Sequence, residues 1–184
     1  FLNLLFFFFI MVDKIDNQLC PFCHKKTMTM MEDEMDMPYF GKVFVFSMDC
    51  SNCDFHKSDI EAEERKNPCE LTFTVENEED LKVRVVKSSE ASIKIPQLRM
   101  SVDPGANSNG YISNVEGLIN RFKKIVEEQR DNADDKDIRK KAKNLLKKIR
   151  KVEYGEAPLK IVITDKSGNS AIISEKTKIK KIKG

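Results

Sequence analysis

Four cysteines stand in two Cys-x-x-Cys hooks, Cys20-Pro21-Phe22-Cys23 and Cys50-Ser51-Asn52-Cys53, with twenty-six residues between them. Each hook curls two sulfurs onto one side of a tight turn, and hooks at the ends of a β-hairpin can complete a tetrahedron around Zn²⁺. A redox Cys-x-x-Cys pair normally stands once, near a βαβ pattern, and no such pattern is legible here. Free core cysteines are the other bland alternative. The expectation is one structural zinc per chain, held by Cys20, Cys23, Cys50 and Cys53. With four thiolates and no open position, such a metal holds the fold and activates no water. His24 and His56 flank the hooks and are expected at the surface, with His24 replacing a cysteine as the minor option. Lys25 and Lys26 either soften the excess charge of four thiolates or are simply solvated.

The elements that must position these sulfurs are short. Thr27 to Met31 and Lys42 to Met48 read as two hairpin strands, and the acidic run Glu32 to Asp36 between them as a solvated bulge. Phe44, Phe46 and Met48 fall on one face and Val43 and Val45 on the other, so one face is free for a partner. Residues 57–68 are polar, end in Asn67-Pro68 and read as the connection out of the ribbon. The zinc-ribbon domain with its linker is thus expected over 13–68.

Ahead of it, residues 1–12 are apolar but shorter than the roughly 20 residues a spanning helix needs. They lack the basic leader and small-residue cleavage site of a secretory signal. Met11 followed by Asp13 and Lys14 is an ordinary start, so this stretch is expected to be a translation-start extension that is not native; a packed or partner-binding strand and a membrane contact are the alternatives.

At 184 residues the chain has room for a second domain of roughly 110 to 120 residues with its own core. Apolar residues alternate at Cys69, Leu71, Phe73 and Val75, at Leu81, Val83 and Val85, at Ile93 and Ile95, and at Leu98, Met100 and Val102. Four consecutive strands of an antiparallel β domain over 69–175 are expected, with Cys69 as a buried small hydrophobe. The period then changes to about 3.6. Ser113-Asn114-Val115-Glu116 reads as a capping box with Ser113 as the cap, opening a helical hairpin over 113–153 that Gly155 stops. Leu159 to Thr164 and Ala171 to Ser174 read as a closing hairpin, and residues 176–184 as a basic tail. The fold class is mainly β: a four-cysteine zinc ribbon, then an antiparallel β domain with an inserted helical hairpin.

The net charge of +2 conceals an asymmetry, −8 over residues 1–90 and +10 over 91–184. Five cysteines, four of them in metal hooks, suit a reducing cytoplasm better than a secreted protein. With two histidines, no phosphate loop and no open metal position, catalysis is not expected.

Several motifs resemble those of the ZPR-type zinc-finger family. They are Cys20-Pro21-x-Cys23, Met37-Pro38-Tyr39-Phe40, Cys50-x-x-Cys53, Arg84-Val85-Val86-Lys87-Ser88, Ile95-Pro96-Gln97-Leu98, Gly110 to Leu118 and Asp165-x-x-Gly168-Asn169-Ser170, in the family's order. The resemblance runs from about Cys20 to Ser174 and implies a β domain of double-stranded β-helix type, in a single module as in archaeal members. Asp54 stands where the family usually has glycine, and Gln97 where it has glutamate. The resemblance implies a protein-interaction module without enzymatic activity. Its implied partner is translation elongation factor one-alpha, in the archaeal form, with assistance to that factor's folding. Gly110, Glu116, Gly117, Asp165, Gly168 and Asn169 match the motifs most closely and are the candidate partner-binding residues, against a bland reading as turn and cap residues. The rival is association with RNA or the ribosome through the run Arg139 to Lys151, which has eight Lys/Arg and no acid, and through the basic tail.

Overall fold

A computed structural model describes residues 13–37, 41–105 and 108–183. The expectations for residues 1–12 and for Pro38, Tyr39 and Phe40 lie outside the described residues. The chain falls into two units, Phe1–Glu64 and Arg65–Gly184.

In the first unit β1 (Asp13–Leu19), β2 (Lys26–Met37), β3 (Gly41–Cys50) and β4 (His56–Ala62) form one antiparallel sheet in chain order. The acidic run does not bulge: Glu32 lies opposite Phe46 and Glu34 opposite Phe44 in an unbroken ladder. The exposed carboxylates of Glu32, Glu34 and Asp36 leave the backbone free to pair, so their poor strand propensity does not end β2. The same reasoning corrects the expected connection at 57–68, because Lys57 to Ala62 pair with β3 as an edge strand. β1 and β4 are too polar to announce themselves by alternation, and the ladder forms them.

In the second unit β5 (Cys69–Val75) buries every second residue, Cys69, Leu71, Phe73 and Val75. A 3-10 turn, Glu78–Lys82, removes Leu81 from the strand expected there; β6 (Arg84–Lys87) follows it. Then come β7 (Ser92–Ile95), a 3-10 turn at Pro96–Leu98, β8 (Met100–Val102) and β9 (Tyr111–Asn114). The helices are α1 (Val115–Asn132) and α2 (Lys136–Glu153), and β10 (Leu159–Asp165), β11 (Ala171–Ile172) and β12 (Lys178–Lys181) complete the unit. Two sheets result, with orders β12-β5-β10-β7-β8 and β11-β6-β9.

Pairing departs from the sequence expectation in two places, and strand order is not chain order, since β10 lies between β5 and β7. No closing hairpin forms, because β11 leaves β10 and pairs with β6 in the other sheet. The basic tail is not a tail throughout: Lys178 to Lys181 pair with β5. Alternation reports which face of a strand is apolar, and it carries no information about the neighbour across the ladder. Lysines on β12 also suit an edge, where charge discourages pairing with another chain.

The core between these sheets and the helices contains Phe73, Ile95, Leu118, Phe122, Ile149, Ile161 and Ile163. The 3.6-residue period corresponds to buried stripes, Val115, Leu118, Ile119, Phe122 and Val126 on α1 and Ala142, Ile149 and Val152 on α2, while Ile125 and Ile138 are exposed. Cys69 is buried, and burial pushes its thiol pKa up. Gly155 follows α2 with φ +65° and donates its amide to Val152 O at 2.9 Å, as its stop role requires.

The helix cap shifts by one residue. Ser113 and Asn114 are the last two residues of the β6–β9 ladder, opposite Val85 and Arg84, and the helix begins after the second of them, Asn114, whose Oδ1 accepts the Gly117 amide at 2.7 Å. Asn114→Ala is therefore expected to cost about 1 kcal/mol in urea denaturation, and Ser113→Ala clearly less. Equal losses would return the cap to Ser113.

Candidate metal centre

The two hooks have the same local geometry. Cys20 N–H donates to Lys25 O at 2.9 Å and His24 N–H to Cys20 O at 3.0 Å; Cys50 N–H donates to Phe55 O at 2.9 Å and Asp54 N–H to Cys50 O at 3.1 Å. Such a turn requires left-handed backbone at its fifth residue, and His24 (φ +57°) and Asp54 (φ +54°) supply it. That accounts for the family's glycine at the second position: a side chain there is strained. Asp54→Gly is expected to stabilise the ribbon by about 0.5–1 kcal/mol. The check is the chelator concentration needed to remove zinc, which should rise; a fall would mean that the aspartate side chain has a role of its own.

Cys20 and Cys50 are buried, and Cys23 and Cys53 are half-buried. Cys20 Sγ lies 3.7 Å from Cys53 Sγ, and Cys23 Sγ 3.7 Å from Cys50 Sγ. All four sulfurs lie within 4.8 Å of one another. A tetrahedral zinc with bonds of about 2.3 Å places its sulfurs roughly 3.8 Å apart, so the residues fit the metal closely. The ligands are the four expected from sequence. His56 instead contacts Asp49 through Nδ1 at 2.6 Å, and His24 is exposed. Lys25 Nζ donates to Asn52 Oδ1 at 2.8 Å, tying one hook to the other.

The thiols are prepared unequally for the cation. The Thr27 hydroxyl, 3.3 Å from Cys50 Sγ, and the amides of Asn52 and Cys53 outweigh burial and bring Cys50 down to about 6. The Lys25 amide lowers Cys23. At Cys53 the Phe55 amide pulls the pKa down, but burial and the neighbouring thiols push it up to about 12. Zinc must displace the proton of Cys53 at neutral pH, and below pH 6 protons also compete at Cys50. Zinc affinity is accordingly expected to rise with pH and to fall steeply between pH 7 and 5. A colorimetric zinc indicator checks this, and release independent of pH would contradict it.

The candidate partner residues separate by position. Glu116 is exposed at the second helical residue of α1, Gly110 is buried, and Gly117 lies where a Cβ would collide with Ser113 Oγ. Asp165 is wholly buried, Asn169 nearly so, and Gly168 has φ +70° with no room for a Cβ against Asn67 O.

Two motifs far apart in sequence meet here. Asp165 Oδ1 accepts the Ser167 amide at 2.8 Å and the Ser167 hydroxyl at 2.7 Å, while the Ser88 amide donates to Ser170 Oγ at 3.0 Å. Burial pushes the Asp165 carboxyl up, but hydrogen bonds from Ser170, Ser167 and Ser88 hold it below its ordinary range. Buried Lys87 donates from Nζ to Ser88 O at 2.8 Å. The sequence signalled both motifs; the contact between them, and the membership of Lys87, Ser88 and Ser167, required the fold.

A closed four-thiolate ribbon joined to a two-sheet β domain with a helical hairpin defines a zinc-ribbon protein whose metal is structural. Residues 15–66 match the ZPR1 zinc-finger domain and residues 79–183 the ZPR1 jelly-roll domain. The chain belongs to the ZPR1 family. It is 38% identical over 157 residues to an uncharacterized ZPR1-like protein of Methanocaldococcus jannaschii, covering 85% of this chain and 79% of that one. Identity to an uncharacterized ZPR1-like protein of Pyrococcus horikoshii is 35% over 167 residues, 89% of this chain and 75% of that one. The zinc finger chaperone zpr1 of Schizosaccharomyces pombe is 28% identical over 158 residues, 84% of this chain but 34% of its own length. Among the described residues no helix is long and apolar enough to cross a membrane.

Proposed function

We propose that this chain is a non-enzymatic, cytoplasmic binding module that engages translation elongation factor one-alpha, in the archaeal form, and assists its folding. The observation that carries this reading is the four-cysteine cluster, whose thiolates would fill every tetrahedral position of a zinc ion and leave none for substrate. The chaperone name of the Schizosaccharomyces pombe relative supports the same class of function. The test is calorimetric titration of purified elongation factor, with GDP and with GTP, against the zinc-loaded chain. Saturable binding is the expected result, and none in any nucleotide state would remove the reading.

A second reading, association with RNA, is favoured by α2, where Lys140, Lys141, Lys143, Lys147, Lys148, Arg150 and Lys151 are all exposed. Such an interaction weakens steeply with salt. Reversing the charge of Lys140, Lys141, Lys147 and Lys148 discriminates: association with the elongation factor should slow while its complex persists, whereas an RNA complex should be lost.

A further inference from the structure

The strand register sets a row of half-buried apolar side chains along one face of the ribbon sheet. Along β3 this face carries Phe44, Phe46 and Met48, and each is flanked on both sides. Glu34 and Glu61 flank Phe44, Glu32 and Asp59 flank Phe46, and Met30 and Lys57 flank Met48. Ile15 of β1 extends the apolar row beyond Met30 and is 56% exposed. A groove of about 330 Å³ runs over Ile15, Met30, Phe46 and Met48, with Glu32 and Glu61 among the residues at its sides.

Single exposed apolar side chains need no explanation, but a continuous apolar row inside a polar, mostly acidic rim marks a binding surface. We infer that this face docks a short basic amphipathic helix of a protein partner. Three features specify that occupant. Phe44 to Met48 spans about 13 Å, a little over two turns of an α-helix, so residues at i, i+3/i+4 and i+7 can meet the row. Carboxylates on both flanks of Phe44 and Phe46 match lysine or arginine on both sides of an apolar stripe and repel an acidic helix. Methionine at two of the contact positions adapts to anchors of different shape. Lys42, paired with Glu34 at 2.6 Å, and Lys57 offset only part of the rim.

This inference deepens the binding-module reading and rests on it, but its test needs no elongation factor. The probe is a fluorescein-labelled helical peptide of about twelve residues, with leucine on its stripe and lysine on its flanks, compared with the same peptide carrying glutamate for lysine. Fluorescence anisotropy with the zinc-loaded full chain should show binding of the lysine peptide only. The double variant Glu32→Lys with Glu61→Lys changes exposed side chains, should keep its zinc, and should weaken the lysine peptide about tenfold. Equal affinity for the two peptides, binding of neither, or self-association of the chain through this face would overturn the inference. If elongation factor binds and the lysine peptide does not, the inference falls and the proposed function stands; the reverse pair of results removes the partner and keeps the docking face.

Discussion

Cys50→Ser is expected to abolish zinc binding and unfold the ribbon while the jelly roll remains folded. Among the described residues one buried cluster of the ribbon contains Cys20, Met28 and Cys50, with Cys23, Met30, Met48, Cys53 and Phe55 packed against it. All four ligands belong to that cluster, so the metal site is a large part of what holds a unit of this size, beside buried Val43. Zinc held by four thiolates contributes on the order of 10–16 kcal/mol to such a domain, and one lost ligand removes most of its tight binding. The second unit has its own cluster around Phe73, Leu118 and Ile161. Metal analysis by mass spectrometry and limited proteolysis should find a zinc-free chain cut within 13–64 and protected beyond it. A variant that retains one zinc, or a ribbon that resists proteolysis without metal, would show that the sulfurs do not hold the fold.

The next largest effect is expected from Gly168→Ala, at about 2–4 kcal/mol. Gly168 has φ +70°, and its missing Cβ leaves room for the Asn67 carbonyl. A methyl group adds left-handed strain and drives against backbone, which yields far less than a side chain. The displaced segment would also disturb the 2.8 Å bond from Lys66 N–H to Ser167 O and, through Ser167, the Asp165 network. Urea denaturation should show the loss with zinc content unchanged. If stability is unaltered while partner binding falls, Gly168 acts at a surface and not as a turn residue.

Much of this protein is written locally. Two Cys-x-x-Cys hooks identify four ligands because a tight turn fixes sulfur geometry without help from distant residues. Period-two and period-3.6 patterns disclosed β5, β7, α1 and α2, since each buries one face against a core and its side chains record that face. The polar edge strands β1 and β4 left no such record. Strand partners were not legible either: β10 pairs with β5 and β7, and β11 with β6, because ladder bonds are made by backbone groups common to every residue. The cap moved from Ser113 to Asn114 because the β6–β9 ladder runs on to Asn114, opposite Arg84, and the helix starts only after it. Asp165, Ser88 and Lys87 joined one buried network only when β6 and the turn after β10 came together in space. Alternation had placed Phe44, Phe46 and Met48 on a common face, and it took the register of β2 and β4 to set carboxylates on both sides of Phe44 and Phe46.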